Sequence, residues 1–219
     1  MDLSKIIKNA VFPRFCFGCK KEGSLLCDDC TVYWQPGSLK IDQKDDHVYF
    51  WQYADSIARE LICAWKYDYD KSAWEIMQRK LRPSLSTLRH FVHIHQIEAL
   101  VPVELHTRKL CERGFDQAVM IAEFLGSELD VPVLHALKRV RPTGKQAERS
   151  HKDRIQFMKD NPFLALVSPP CEGGVGGGLP RSVLLIDDVW TTGATIGAAV
   201  EVLKKSGVEK IWTCTLAKG

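Results

Sequence analysis

Two adjacent carboxylates, Asp187 and Asp188, follow the apolar run Val183-Leu-Leu-Ile186 and precede the hydroxyl-rich turn Thr191-Thr-Gly-Ala-Thr195. The run reads as a buried strand, and acids at its carboxyl end stand where ligands bind in open α/β sheets. The turn leads into a helix, so it offers backbone N–H groups, the positive potential of a helix start and the hydroxyls of Thr191, Thr192 and Thr195. Gly193 has no Cβ and lets the backbone approach a bound group closely. With Ala194 these residues form a cradle for one phosphate. Neighbouring carboxylates repel, and no cation stands near them in sequence. The two O–H groups of a cis-diol would relieve that repulsion, and so would a bound Mg²⁺. A sugar diol beside a phosphate describes a 5-phosphoribosyl group; the bland alternative is a helix N-cap with two threonines and no ligand.

A second constellation is Cys16, Cys19, Cys27 and Cys30, spaced C-x₂-C-x₇-C-x₂-C. Each C-x₂-C pair can turn two thiolates toward one metal, and four thiolates make a closed tetrahedral Zn²⁺ site of structural type. Disulfides are the alternative and fit poorly with a cytoplasmic chain. A zinc module of this size need not touch nucleic acid, because the metal can replace a core too small to form.

Charge is unevenly placed. The chain carries net +3, yet the stretch from Lys138 to Lys159 has eight basic residues against Glu148 and Asp153, a net +6 that leaves −3 elsewhere. Such a stretch implies an anionic partner, diphosphate or nucleic acid, or else a solvated charged face. His90, His93 and His95 form an H-x₂-H-x-H run that reads as a metal cluster or as polar decoration before a strand. All five tyrosines and four of six tryptophans lie between residues 33 and 74. They would either stack single-stranded bases or build the core that joins the cysteine module to the rest.

These residues need a scaffold. Leu3, Ile6, Ile7 and Ala10 suggest a short amphipathic helix. Residues 36–47 read as a linker or hairpin, Ala54 to Tyr67 and Ala73 to Leu81 as helices, the latter ended by Pro83. From Ala99 the pattern alternates: strand 99–103, helix 116–129, strand 131–137, the basic segment 142–160, strand 163–167, a Gly/Pro-rich loop 168–180, strand 182–186, a helix from about 195 to 205 closed by Gly207, and strand 210–216. Continuous apolar strands alternating with helices imply a parallel α/β sheet covered on both faces. No apolar run approaches the roughly 18–20 residues of a membrane span, and the first ten residues lack the uninterrupted apolar core of a signal peptide, so a cytoplasmic protein is expected.

With these pieces in place, the acid pair and threonine turn resemble the phosphoribosyl diphosphate (PRPP) signature of type I phosphoribosyltransferases. The whole chain resembles the ComF family, linked to DNA uptake in natural competence. The matching pieces are Cys16-Phe-Gly-Cys19 with Cys27-Asp-Asp-Cys30, Trp65-Lys-Tyr67, Val101-Pro-Val103, Arg113-Gly-Phe-Asp-Gln-Ala118, Arg141-Pro-Thr143 with Gln146, Asn161-Pro-Phe163, and Asp187 to Thr195. The resemblance implies a Rossmann-like phosphoribosyltransferase domain over residues 46–219, preceded by a four-cysteine zinc module and linker over 1–45. It places the 5′-phosphate on Thr191 to Thr195 and the ribose at Asp187 and Asp188. The diphosphate would lie by the loop after Val103, near Arg108, Lys109 and Arg113, with Mg²⁺ bridging. Arg139 to Arg154, including Arg141 and Lys145, corresponds to a flexible loop that closes over the site, excludes water and neutralises the leaving group.

Two positions depart from the family pattern: Asp116 replaces the usual Asn and Glu104 a second Pro, which sets negative charge near the expected diphosphate loop. The resemblance leaves three functions in view. One is transfer of phosphoribose from PRPP to an acceptor, in DNA uptake or nucleotide salvage. Another is non-catalytic handling of single-stranded DNA beside a DNA-import helicase or other competence proteins. The third is sensing of PRPP or a nucleotide without turnover. The sequence stops at Gly219, directly after the last strand, so no C-terminal hood is expected and a base pocket would come from the N-terminal part or from 139–160.

Overall fold

A computed structural model describes residues 13–140, 161–166 and 179–219. The expected N-terminal helix, the basic segment with Arg141 and Lys145, and most of the Gly/Pro-rich loop lie outside the described residues. Five strands form one sheet in the order β1-β2-β7-β6-β3: β1 (Lys40–Asp42), β2 (His47–Gln52), β3 (Ala99–Pro102), β6 (Ser182–Trp190) and β7 (Lys210–Lys218). Pairings β2–β7, β7–β6 and β6–β3 are parallel, and only the edge strand β1 is antiparallel. A separate antiparallel pair joins β4 (Leu137–Arg139) to β5 (Phe163–Ala165).

The apolar run of β6 explains the layering. Its side chains alternate across the sheet. Leu184 and Ile186 enter one core, with Leu100, Cys214 and Leu216; Val183 and Leu185 enter the other, with Val101 and Ile211. Helices α2 (Ser56–Tyr67), α3 (Lys71–Leu81), α4 (Leu85–Ile94) and α6 (Gln117–Leu129) cover the first face, while α7 (Ala194–Lys205) and the β4–β5 pair cover the second. A strand buried on both faces has no polar alternation, as β6 shows.

The differences from the sequence reading have physical causes. Residues 131–136 form a single parallel bridge, Val133 to Leu100, and not a strand, and β4 begins only at Leu137. Pro132 lacks an N–H and can only accept, from Leu100 N, so the ladder cannot extend. β6 runs on through Asp187 and Asp188 to Trp190, so the acids are strand residues and not turn residues. The structure adds four elements that the sequence pattern does not announce: the short helix α1 (Asp28–Tyr33), β2, α4, and the short helix α5 (Thr107–Arg113). The break at Pro83 is one 3₁₀ turn, Arg82–Ser84, after which the helical path resumes as α4. The H-x₂-H-x-H run therefore lies on and just past a helix. His95 packs on Phe91 and Trp212 at 4.3 and 4.4 Å, and the run joins no metal-capable group among the described residues.

The cysteine module is fastened to this body at several points. Trp34, after α1 (Asp28–Tyr33), stacks on Trp51 of β2 at 5.2 Å and donates Nε1–H to Asp55, which also caps α2. Lys80 of α3 donates to the carbonyls of Thr31 and Trp34 at the end of α1, and Arg14 pairs with Asp70 at 2.9 Å. The boundary expected at 45–46 falls in the turn of the β1–β2 hairpin. The aromatic belt is divided: Trp34, Trp51, Trp65 and Trp74 are buried, whereas Tyr33, Tyr67 and Tyr69 are exposed.

Candidate functional site

A cleft of about 300 Å³ opens at the carboxyl ends of β6 and β3. Asp187, Asp188 and Thr191 to Thr195 line one side; Lys66, Lys109, Arg113 and Arg139 stand around the rest. Gly193 has φ +72°, the left-handed region open to glycine, and a Cβ there would meet the Trp190 ring at 2.8 Å. Gly193 has no side chain to cap α7, which starts at the next residue; Ala194 N makes a long bond to Thr192 Oγ1 at 3.4 Å, and the following first-turn N–H groups have no side-chain partner among the described residues and face an anion freely. Thr191 and Thr192 are exposed at the turn.

The acid pair has a partner that sequence proximity hid. Lys66, in the last turn of α2, reaches Asp188 with Nζ–Oδ2 2.6 Å. Burial disfavours the Lys66 charge, but Asp188 and Asp187 more than offset it, and its pKa lies above that of an ordinary lysine. Asp187 is half-buried and lines the cleft. Burial, and then the Asp188 charge, push its carboxyl up to about 7. Its folded pKa is thus raised above the unfolded value, so this group lowers stability as pH rises from about 4 to 7.

The opposite wall is cationic. Arg139, on β4, is buried, lies over the Phe163 ring at 4.8 Å, and its Nε has no partner among the described residues. Burial, with Arg113, Arg139 and Lys66 close by, holds Lys109 below the usual lysine pKa. Clustered cations beside an uncapped helix start suit a multiply charged anion. Arg113 lies 5.9 Å from the exposed Tyr67 ring at the cleft mouth and donates to Gln117. Arg108 does not line the cleft; it pairs with Glu112 along its own helix at 3.2 Å. Lys66 and Arg139 are the cleft cations to which the sequence reading gave no separate role. The signal for Lys66 was its place in Trp65-Lys-Tyr67.

The two unexpected acids each have partners within the fold. Asp116 is buried and caps α6 by accepting from Ala118 N and Val119 N, and it also accepts from Leu105 N at 2.6 Å. Glu104 pairs with His135 at 2.6 Å. The Asp116 carboxylate therefore latches the loop after β3 to the start of α6. Asp116→Ala should cost about 2 kcal/mol in urea unfolding, a cap plus a buried hydrogen bond; Asp116→Asn keeps the cap through its one oxygen but sets an amide NH2 against Leu105 N–H, so it should recover only the cap's share.

The four cysteine sulfurs lie within 4.8 Å of one another, a set able to hold one metal ion. A Cβ on Gly18 would meet the Cys30 sulfur at 2.7 Å, so glycine is required for the knuckle to close.

The phosphoribosyl transferase domain family matches residues 116–219, which contain α6, β6, the threonine turn and β7. Over 129 residues, 57% of this chain, the sequence is 39% identical to competence protein F of Haemophilus influenzae, of which the match covers about half, 53%. It is 24% identical to competence protein ComFC of Streptococcus pneumoniae over 93% of this chain and 80% of that one. For ComFC of Bacillus subtilis the identity is 28% over 83% and 67%. The chain is thus similar to the ComF competence proteins. The fold is of the type I phosphoribosyltransferase kind, with a mainly parallel sheet and a four-cysteine cluster ahead of it. Among the described residues no helix is long and apolar enough to cross a membrane.

Proposed function

We propose that the cleft binds PRPP and that the protein transfers its phosphoribosyl group to an acceptor, in DNA uptake or nucleotide salvage. The observation that carries this reading is one cleft holding an acid pair, an uncapped helix start with its threonine turn, and a cationic wall. The 5′-phosphate takes the N–H groups and hydroxyls of Thr191 to Thr195, with Gly193 and Ala194 giving it room. The ribose hydroxyls donate to Asp187 and Asp188. The diphosphate lies toward Lys109, Arg113 and Arg139, whose positive charge lowers the energy of the departing anion. Mg²⁺ accompanies the diphosphate as its counter-ion and supplies further neutralisation; the acids beside this wall fit such a cation. Arg141 and Lys145 act from the segment that follows β4. The cysteine cluster holds structural Zn²⁺. The printed names of the relatives, competence proteins, support a place in DNA uptake.

Calorimetry with PRPP and Mg²⁺ tests this. The wild type should bind, and Asp187→Ala/Asp188→Ala should lose about 100-fold, since two hydrogen bonds to charged acceptors disappear. A wild type that gives no heat and no displacement would sink the reading. A second reading, non-catalytic binding of single-stranded DNA, is favoured by the exposed Tyr67 beside Arg113 and by the exposed Tyr69. It requires oligonucleotide affinity that falls steeply between 50 and 200 mM salt.

A further inference from the structure

Lys66 comes from α2, outside the stretch that the phosphoribosyl transferase family matches, yet it stands inside the cleft. Its position is fixed by its neighbour. Trp65 is fully buried, stacked on Trp74 at 4.7 Å and on Phe115 at 6.1 Å. With residues 100° apart around the helix, that anchoring turns Lys66 toward the acid pair. The last turn of a helix also favours a cation. Asp188 takes Lys66 at 2.6 Å, and both side chains are mostly shielded, 24% and 11% exposed. Lys109, Arg113 and Arg139 line the same cleft as Lys66 and the two acids. The ammonium therefore touches one acid of the ribose place and shares the cleft with the cations of the diphosphate place in the preceding reading.

We propose that Lys66 is a substrate-contacting residue. In the empty cleft it neutralises Asp188; when ribose hydroxyls take that carboxylate, it turns to the diphosphate. A lysine suits this, because its compact charge rides on a flexible stem with three rotatable donors. The inference rests on the PRPP reading and assigns an N-terminal helix to the working site.

The discriminating measurement compares ribose 5-phosphate with PRPP–Mg²⁺ on wild type, Lys66→Met and Lys66→Arg, each shown folded by its melting curve. Lys66→Met should lose about 10- to 100-fold in PRPP affinity and only a few-fold for ribose 5-phosphate, and Lys66→Arg should recover most of the difference. Equal losses for the two ligands, or no loss, overturn the proposal and leave the PRPP reading standing. A wild type that binds neither ligand overturns both. Should Lys66→Met not fold, the wild type still decides. PRPP–Mg²⁺ should protect Lys66 from acylation, read by peptide mass, more than ribose 5-phosphate does, and equal protection overturns the proposal.

Discussion

Cys16→Ser should lower the melting temperature of the whole chain by about 10 °C or more and abolish metal binding, and prolonged chelation should do the same to the wild type. Among the described residues the module has little apolar core of its own. Between residues 13 and 35 only Cys16, Leu25, Leu26 and Trp34 are buried apolar side chains. Structural zinc contributes on the order of 10 kcal/mol to comparable small folds, against a total stability of roughly 5–15 kcal/mol for a domain. The loss would not stay local. Trp34 would leave Trp51 and Asp55, exposing part of β2 and loosening the cap of α2, and Lys80 would lose the carbonyls at the end of α1. Undocking worth about 3 kcal/mol corresponds to about 10 °C for a chain of this size. Zinc content by mass spectrometry and calorimetric melts with and without chelator check this. A protein that melts unchanged once free of metal would show the cluster to be a set of reduced thiols.

How much of this was legible in the sequence depends on how local each signal is. Val183 to Ile186, the acid pair and the threonine turn are contiguous, and the chemistry they suggest can be read without a fold. The two C-x₂-C pairs converge as their spacing requires. The counter-ion of the acid pair was not legible as such, because Lys66 and Asp188 are 122 positions apart and meet only through the docking of α2 on the sheet. β2 escaped notice for a related reason. His47-Val-Tyr-Phe-Trp-Gln52 sits beside β7 with both faces largely covered, and an aromatic run with no alternation resembles a core patch as much as a strand. The unexpected acids Asp116 and Glu104 read from sequence as charge near an anion site. Only hydrogen bonding reveals that one is a helix cap and latch and the other a histidine partner. Local composition states which charges are present; partner choice is a property of the fold.

Trp65→Ala should destabilise the protein by about 3–5 kcal/mol, the range for emptying a large aromatic site in a close-packed core. Trp65 has no exposed surface and lies almost parallel to Trp74, with an interplanar angle of 9°. Its Nε1 has no hydrogen-bond partner among the described residues, so Trp65→Phe removes a buried unsatisfied donor along with part of the ring and should cost less than half as much. The same substitution reaches the cleft from two directions. Lys66 follows Trp65 directly on α2, and Phe115, stacked on Trp65, precedes the latch Asp116. Ligand binding should therefore fall together with stability in Trp65→Ala. Tyr67→Ala, at a ring that is 60% exposed, should leave the melting curve nearly unchanged. Urea unfolding of the three variants separates the two roles proposed for the aromatic belt. If Trp65→Ala unfolds like the wild type, the belt is not core at this point. If Tyr67→Ala alone weakens binding of nucleotides or single strands, then base stacking belongs to the exposed tyrosines, and the tryptophans serve the cleft only by holding α2 and its lysine in place.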